Sequence, residues 1–535
     1  MDKPVGPDGP SGQTRGLRVL FISLELLGPV FSGNGIYSRS LVRALKTVPG
    51  LACLVISGRG SGLPLESQDA EWLAQREAPH GLIDLPLDVW GRLDRESGWA
   101  SLREQASTPA VAAAVASFGP DVVAAVDWHG TCAWAGLREA LLNAAVATTG
   151  PSAAAAAQAA SCKVVYLNFR VYCTSAGLAA ADSDLAFYRA QELAAMRVSA
   201  CTVALCRADA LALAALAAGV DPMSRYPLEP AELVEGPFAE QPDIRILLPP
   251  LRQDMLRVCQ AACTELREAD APRRDLVVCA VRASPEKGLH RLAGWLRALR
   301  PVMDELHLTP FICGARAAGS TYAAEALSAI AAAYPGTHFE EAFMGPAELH
   351  AVFRRAALNI HPCLADAYGM TVIEAAACGA PSLVHVPSRS PDSKGRGAAP
   401  SLAAAAHCFV SGWGDSACEA GGSGFLRLQL SLYCNSVTGA AAAWQSAAAE
   451  LLAAPLATVG ACDLIAPAGD SAGGIVPVDM TLPDTEVAAV AGAMLHDESA
   501  LRAVAARAEL VAVSWTETLS RDALLSILRE YAAPR

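Results

Sequence analysis

The sequence predicts an α/β protein built from two doubly wound domains, each with a parallel sheet. Short apolar segments rich in β-branched residues alternate with segments of helical apolar spacing along most of the chain. The alternation is interrupted at the proline pair Pro249-Pro250, and 535 residues suffice for two domains. Because strands separated by helices pair in parallel, each half is expected to form its own sheet with helices on both faces.

Composition excludes several classes of function. Charged residues make up 18% of the chain and the net charge is −13, which argues against a nucleic-acid partner. No run of eighteen strongly apolar residues occurs, so no transmembrane segment is expected. The sixteen cysteines are scattered without a CxxC pair, which fits buried thiols in a reducing compartment, and we expect a cytoplasmic protein. Cys259 and Cys263 could share a helix face, but no histidine or second pair stands near them in sequence, so no metal site is predicted.

The first half of the chain is predicted to be one domain over residues 17–250, after a disordered lead over 1–16. An Ala-, Thr- and Ser-rich tract over 144–161 is interpreted as a low-complexity insertion. The expected strands cover residues 17–23, 51–57, 121–126, 163–170, 200–206 and 244–248. The spacing of these strands leaves room for a helix between most neighbours, as a doubly wound sheet requires.

Two strand ends of this half carry candidate binding residues. The turn that contains Gly33 and Gly35 lies between the first strand and the first helix, and glycine lets the backbone approach a ligand closely. The third strand ends in Asp127-Trp-His129, where side chains of a parallel strand point into the ligand crevice. In both cases the alternative is a structural turn, with Trp128 as part of the core.

The second half begins with a hinge or linker over 251–272, followed by a domain over 273–515. A strand over 275–281 leads into Arg282 and Lys287, which are separated by four residues across a strand-to-helix turn. Both cations can therefore converge on one anion, and a guanidinium with an ammonium suits a diphosphate. Residues 387–458 are interpreted as a low-complexity insertion, and 516–535 as a C-terminal helix.

The stretch over 359–381 combines a strand end, a loop and a helix start. The loop contains Asp366 and Gly369, the helix begins near Gly369, and Glu374 stands about one turn into it. The N–H groups and the dipole at a helix N-terminus favour phosphate. A carboxylate accepts two hydrogen bonds, so Glu374 suits a vicinal diol such as that of a ribose.

In their order along the chain, these elements resemble the signature of retaining GT-B glycosyltransferases of family 4. They are the glycine turn, Arg282 with Lys287, and Asp366 with Glu374 at a separation of seven intervening residues. Glycogen and starch synthases are more distantly similar. The resemblance covers most of 17–386 and 459–535 and is strongest over 275–386. It implies a GT-B fold, in which two Rossmann-like domains face each other across a cleft and the final helix crosses back to the N-terminal domain.

The resemblance implies transfer of a sugar from a nucleotide diphosphate sugar to an acceptor that the sequence does not identify. It further implies retention of the anomeric configuration, with no metal and no cofactor. The implied donor site consists of Gly33, Gly35, Arg282, Lys287, Asp366, Gly369, Met370, Thr371 and Glu374. Among them, Arg282 and Lys287 would hold the diphosphate, Glu374 the ribose, and Asp366 the sugar hydroxyls. The catalytic set would be Arg282, Lys287 and Asp366, with Asp127 and His129 facing the acceptor.

The chain departs from this family at two positions. The strand over 163–170 has Leu167 where many relatives have a histidine that reaches the sugar, and Asn168 and Arg170 are the nearest polar residues. Asp366 replaces the more usual glutamate. Two alternatives therefore stay open: a phosphorylase-like sugar transfer to phosphate on the same fold, and a non-catalytic protein that binds a nucleotide sugar.

Overall fold

The computed structural model describes residues 16–27, 30, 32–64, 81–175, 182–219, 243–265, 274–314, 316, 320–340, 344–363, 369–385, 475–478, 480, 483–498, 501–502 and 517–532. Several sequence-based interpretations lie outside these residues. They concern most of the lead over 1–16, Asp366, the insertion over 387–458 and the stretch around Trp515.

The first sheet has seven strands in the order β3-β2-β1-β4-β5-β6-β7. Its strands are β1 Arg18–Ser23, β2 Ala52–Gly60, β3 Gly81–Leu87, β4 Val122–Val126, β5 Lys163–Asn168, β6 Cys201–Ala204 and β7 Ile244–Ile246. The pairs β1–β2, β1–β4, β2–β3 and β6–β7 are parallel. The sequence did not predict β3, which contains Pro86. A proline is compatible with this strand because β3 lies at the edge of the sheet.

Helices connect these strands. They are α1 Gly33–Lys46, α2 Trp99–Ala106, α3 Pro109–Phe118, α4 Asp127–Ala147, α5 Pro151–Ala160, α6 Tyr172–Ser175, α7 Asp182–Val198 and α8 Arg207–Ala217. Alternate residues of the central strands, such as Leu20, Ile56 and Val123, share one buried cluster with α2 to α5. Side chains from the strands and from these helices therefore pack into one core on this face of the sheet.

The structure corrects the interpretation of residues 144–161 as an insertion. Residues up to Ala147 complete α4, and Pro151 opens α5, of which Ala156 and Ala159 are buried in the core of the first sheet. Alanine has the highest helix propensity of the residues, and its small side chain lets the helix pack closely. The alanine-rich residues of this tract therefore form a closely packed helix.

The second sheet has six strands in the order β10-β9-β8-β11-β12-β13, and all five neighbouring pairs are parallel. Its strands are β8 Leu276–Ala280, β9 Thr309–Cys313, β10 His338–Glu340, β11 Ala356–His361, β12 Ser382–His385 and β13 Ile475–Val478. The helices of this part are α9 Gln253–Glu265, α10 Leu292–Glu305, α11 Thr321–Ala333, α12 Pro346–Arg354, α13 Met370–Ala377 and α14 Asp484–His496. The last helix of the chain is α15 Glu517–Tyr531, and its residues from Leu524 onward group with the first part of the chain.

Helices cover both faces of the second sheet. Val277 and Cys279 of β8 belong to a buried cluster with α10, α11 and α14, whereas Val278 and Ala280 belong to a second cluster with α9, α12 and α13. Successive side chains of a strand point to opposite faces, so the two clusters are the two sides of one doubly wound sheet. The predicted fold class of two doubly wound parallel sheets is thereby confirmed.

The structure also corrects the interpretation of 251–272 as a linker. Most of the described part of this segment is α9, and its residues Met255, Leu256 and Cys259 are buried in the second sheet's core. Arg257, between these apolar positions, is exposed, as expected for the outer face of an amphipathic helix. Residues 251–265 are therefore part of the second sheet's packing.

The chain divides into two compact units. One consists of Met1–Tyr166, Val198–Ala200 and Leu524–Arg535, and the other of Leu167–Arg197 with Cys201–Ala523. Strands β1 to β4 lie in the first unit and β8 to β13 in the second. In the part of the chain that the structure describes, no helix has both the length and the apolar character needed to cross a bilayer.

Candidate functional site

Each sheet has one point at which the strand order reverses. In the first sheet this switch point lies between β1 and β4, and in the second it lies between β8 and β11. Ligands of open α/β sheets bind outside the carboxyl ends of the strands at such points. The predicted site residues follow these four strands, so we describe the two switch points in turn.

The turn after β8 carries the two predicted cations. Arg282 Nη2 donates a hydrogen bond to Glu286 Oε1 at 2.8 Å, and Ser284 Oγ donates to the same oxygen at 2.7 Å. Lys287 ends a short 3₁₀ turn that Gly288 closes with a φ of 69°. Burial acts to raise the pKa of Glu286, but the Ser284 hydroxyl and the nearby guanidinium groups outweigh it and lower that pKa. The turn is therefore held in shape by an ionised carboxylate that pairs with Arg282.

This turn packs against the chain that leaves β11. A Cβ at Gly288 would lie 2.6 Å from the carbonyl oxygen of Pro362, and Arg291 Nη1 donates to that oxygen at 3.3 Å. Only glycine tolerates both the close approach and the positive φ at this position. We call the turn that carries Arg282 and Lys287 the cation turn. The cation turn and the loop that begins at Pro362 are thus neighbours at the carboxyl edge of the second sheet.

Helix α13 begins on the other side of the same switch point. Gly369 is its N-cap, with a φ of 69° and no side-chain capping bond. The geometry of a helix leaves the N–H groups of its first turn, here those of Met370 and Thr371, without acceptors inside the helix. These groups and the helix dipole make the start of α13 suited to an anion.

Glu374 lies one turn into α13 and is 4% exposed. Its Oε1 is 3.5 Å from Arg252 Nη1, while Arg252 makes a shorter contact of 2.6 Å with Asp254. Burial therefore dominates and raises the pKa of Glu374 to about 7, although Arg252 opposes the shift. Burial also raises the pKa of Cys313, at the end of β9, to about 12, and the Glu374 charge contributes to that rise. Glu374 is thus a buried carboxylate, one turn into the helix that begins at this edge of the sheet.

The glycine turn lies at the switch point of the first sheet. The Ser32 side chain caps α1 by accepting from the Asn34 N–H, and Ser32 itself donates to the buried Glu25 carboxylate at 2.5 and 2.8 Å. A Cβ at Gly35 would lie 2.6 Å from Glu25, whereas one at Gly33 would meet nothing within 4 Å. The absence of a side chain at Gly35 is therefore explained by packing, and Gly33 presents bare backbone in open space.

Asp127 follows β4 on the other side of this switch point. Its φ is 51°, a value that L-residues other than glycine seldom adopt, and Asn34 Nδ2 donates to its Oδ2 at 2.7 Å. His129 is fully buried, and its ring stacks on Trp128 with 3.8 Å between the centroids. Asp127 thus lies beside the glycine turn, and His129 lies in the interior of this structure.

The structure thus places the predicted residues in two groups. Arg282, Lys287, Gly369, Met370, Thr371 and Glu374 flank the switch point of the second sheet, and Gly33, Gly35 and Asp127 flank that of the first. Asp366 lies outside the described residues. Sequence reasoning missed Arg252, Glu25 and Asn34, of which Asn34 had a usable signal, because it is the polar residue inside the glycine turn.

Two further features lie apart from these residues. An open groove of about 400 Å³ lies between α2 and α4, and none of the predicted site residues lines it. Among the described residues, Cys259, His350 and Cys378 bring three possible metal-ligand atoms within 4.8 Å of one another.

The fold is similar to that of solved glycosyltransferases over nearly the whole chain. Sucrose-phosphate synthase from Thermosynechococcus elongatus matches with a TM-score of 0.55 and 12% identity, over 96% of this chain and 98% of that chain. The E. coli trehalose-6-phosphate protein bound with UDP-2-fluoro glucose matches with a TM-score of 0.54 and 11% identity, over 97% of this chain and 100% of that chain. The UDP-forming α,α-trehalose-phosphate synthase from Burkholderia xenovorans, in complex with glucose-6-phosphate, matches with a TM-score of 0.52 and 11% identity, over 96% and 100%.

No protein-family model and no curated protein sequence matches the chain. At identities near 11% the structural similarity is informative about the fold, and the chain has the GT-B fold of these neighbours. The resemblance inferred from the sequence motifs is confirmed at this level.

Proposed function

We propose that this protein is a glycosyltransferase that moves a sugar from a nucleotide diphosphate sugar to an acceptor hydroxyl. The observation that carries the proposal is the position of the cation turn and of α13. They flank the switch point of a GT-B sheet, and Gly288 is packed on Pro362 between them. This arrangement offers two cations and a helix N-terminus to a diphosphate, and a buried carboxylate to a pentose.

In the proposed reaction the leaving group is the nucleoside diphosphate. Arg282, Lys287 and the N–H groups at the start of α13 would stabilise the charge that builds on it as the glycosidic bond breaks, so the transfer would require no metal. Glu374 would accept hydrogen bonds from the ribose hydroxyls. Asp366, with the backbone of Gly369 and Met370, would bind the sugar hydroxyls, and the anomeric configuration would be retained, as in the family that the motifs resemble.

The glycine turn would approach the donor phosphates through Gly33, whose backbone is open. Asp127 would face the acceptor, held in position by the amide of Asn34. His129 would serve the acceptor only after a rearrangement that brings it out of the interior. We place the protein in the cytoplasm, consistent with its buried thiols.

The names of the fold neighbours suggest the first ligands to test. One is bound with UDP-2-fluoro glucose, and another is a UDP-forming synthase in complex with glucose-6-phosphate. We therefore propose UDP-hexose as the donor class and a sugar or sugar phosphate as the acceptor class.

The experiment combines binding with turnover. UDP, GDP and ADP are compared by thermal shift, because a ligand that binds only the folded state raises the melting temperature. Release of the nucleoside diphosphate from donor sugars is then measured with and without candidate acceptors.

Lys287→Ala should lower turnover by about 100-fold or more, since one group that stabilises transition-state charge contributes on that scale. Lys163→Ala, an exposed lysine at the start of β5, is the matched control. Equal turnover in both variants would contradict the proposal.

A second candidate is a protein that binds the nucleotide sugar without transferring it. Leu167 is fully buried at the position where many relatives have a histidine, and the Asn168 side chain is turned to the backbone carbonyl of Arg170. The two candidates separate in a single-turnover assay with enzyme in excess of donor. Stoichiometric product supports the transferase, whereas bound and intact donor supports the binding protein.

A further inference from the structure

Three helices of the second sheet bring two thiols and one imidazole together. Cys259 lies on α9, His350 on α12, and Cys378 is the C-cap of α13. Their ligand atoms all lie within 4.8 Å of one another. The three residues are far apart in sequence, with Cys259 and Cys378 separated by 119 positions. We propose that Cys259, His350 and Cys378 form a binding site for a thiophilic metal ion, with Zn²⁺ as the ion that fits best.

The spacing of the sulfur atoms is the first argument for the site. Cys259 Sγ and Cys378 Sγ are 3.9 Å apart. Two thiolates bound to one tetrahedral Zn²⁺ at about 2.3 Å each lie about 3.8 Å apart. A disulfide needs about 2.05 Å, so a covalent bond would require the sulfur atoms to approach each other by almost 2 Å. The side chains thus already have the separation that a shared ion demands.

The second argument is the electrostatic balance of the site. Both cysteines are buried. Two buried thiolates alone would be costly, and so would a buried divalent cation. Two thiolates and one divalent cation together carry no net charge. A neutral imidazole is a common Zn²⁺ ligand and adds no charge, so His350 preserves this balance.

The donor set also selects the ion. Two sulfur ligands and one nitrogen suit Zn²⁺ and exclude Mg²⁺ and Ca²⁺, which prefer oxygen. His350 is only half-buried, so a tetrahedral ion could complete its coordination on that side with water. The ion would tie α13 to α9 and α12. It would lie one turn from Glu374, because Cys378 follows Glu374 by four residues. Its role would be structural, and the proposed sugar transfer would proceed without it.

The test uses the full-length protein, reduced and stripped of metal with a chelator. Co²⁺ serves as the spectroscopic probe, and Zn²⁺ is then titrated against Co²⁺ and against a chromophoric chelator. We expect a thiolate-to-cobalt charge-transfer band, d–d bands of tetrahedral intensity, and displacement by one Zn²⁺ per site. Cys378→Ser should weaken the charge-transfer band of this site, because one of its two thiolates is lost, and it should weaken Zn²⁺ binding by about 100-fold or more, given that loss of an outer partner alone costs about 10–100-fold.

Matched controls separate this site from cysteines and histidines elsewhere in the chain. Cys132→Ser and His496→Gln remove one thiol and one imidazole outside the cluster, and they should leave both readouts unchanged. If the cysteine variants do not fold, His350→Gln, at a half-buried position, should still weaken Zn²⁺ binding and change the d–d bands. The proposal is overturned if the Cys378→Ser or His350→Gln spectra equal that of the wild-type protein. It is equally overturned if peptide mapping finds Cys259 and Cys378 joined in a disulfide in freshly purified protein.

Discussion

Arg252 approaches Glu374 only to 3.5 Å, because its guanidinium is engaged at 2.6 Å by Asp254. Glu374 is therefore a buried carboxylate with a weak counter-charge, and burial raises its pKa from 4.5 to about 7. Under the proposed function, the ribose hydroxyls would supply the hydrogen-bond donors that this carboxylate needs. When it is ionised, a buried carboxylate with a weak counter-charge lowers the stability of the folded protein.

The first prediction concerns Glu374→Gln and the pH dependence of stability. The folded state holds the Glu374 proton more tightly than the unfolded state does. The resulting stabilisation is complete below pH 4.5 and is lost as the pH rises through about 7. A rise of this size corresponds to about 3 kcal/mol of unfolding free energy. The glutamine variant should therefore be more stable than the wild-type protein at pH 8 and nearly equal at pH 5.

This prediction is checked by urea unfolding of chelator-treated protein at both pH values. Glu325→Gln, at an exposed position of α11, is the control and should change neither midpoint. The contrary result is a difference in unfolding free energy, between the wild-type protein and Glu374→Gln, that is the same at pH 5 and pH 8. It would mean that Glu374 is not a buried carboxylate with a weak counter-charge.

The second prediction links nucleotide binding to proton release and rests on the proposed function. Ribose hydroxyls that donate to Glu374 favour its ionised form and so lower its pKa. Binding of UDP at pH 6.5 should then release a fraction of a proton, and binding at pH 9 should release none from this group. Titration calorimetry in buffers of different ionisation enthalpy measures the proton directly. Glu374→Gln should reduce the difference between the buffers at pH 6.5, and the proton that remains comes from the terminal phosphate of UDP, whose second pKa is about 6.

The third prediction also rests on the proposed function and concerns Glu286, which pairs with Arg282. A diphosphate has to compete with this carboxylate for the guanidinium. Glu286→Gln should therefore raise the affinity for UDP by up to about fivefold at low salt, since a partly exposed ion pair contributes up to about 1 kcal/mol. Calorimetry at low and high ionic strength tests this, because screening reduces the advantage. Glu305→Gln, exposed at the end of α10, should leave the affinity unchanged.

The sequence predicted those parts of the site that local chemistry determines. Arg282, Lys287 and Glu374 stand at strand-to-helix junctions, and a junction is visible from periodicity alone. Because parallel strands end at one edge, the two junctions lie at the same edge of the second sheet. The pairing of β8 with β11, which makes the two junctions neighbours, was implied by resemblance and not by spacing.

The features that the sequence did not reveal depend on distant contacts or on ambiguous composition. Arg252 reaches Glu374 across 122 positions, and no local pattern links the two residues. Seven of the ten residues of α5 are alanine, a composition that suits both a low-complexity tract and a packed helix. Only the burial of Ala156 and Ala159 decides between them. The proposed metal ligands likewise meet only after α9, α12 and α13 have packed together.

The last prediction concerns the hydrogen bond between Asn34 and Asp127. Asp127 is buried at the switch point of the first sheet, and the 2.7 Å bond from Asn34 Nδ2 is one of its contacts. Asn34→Ala should lower the free energy of unfolding by about 1–3 kcal/mol, the cost of leaving a buried acceptor unsatisfied. Asn143→Ala, at an exposed position on α4, should have little effect in the same urea titration.

Asn34→Asp provides a sharper form of this test. It places a second carboxylate against Asp127, and two like charges at this distance oppose the ionisation of both groups. Since the pair would hold a proton more tightly when folded, the variant should lose stability relative to the wild-type protein as the pH rises from 4 to 8. Asn34→Ala should lose stability by a similar amount at both pH values. If Asn34→Asp shows no pH dependence beyond that of Asn34→Ala, the amide does not contact the Asp127 carboxylate in solution.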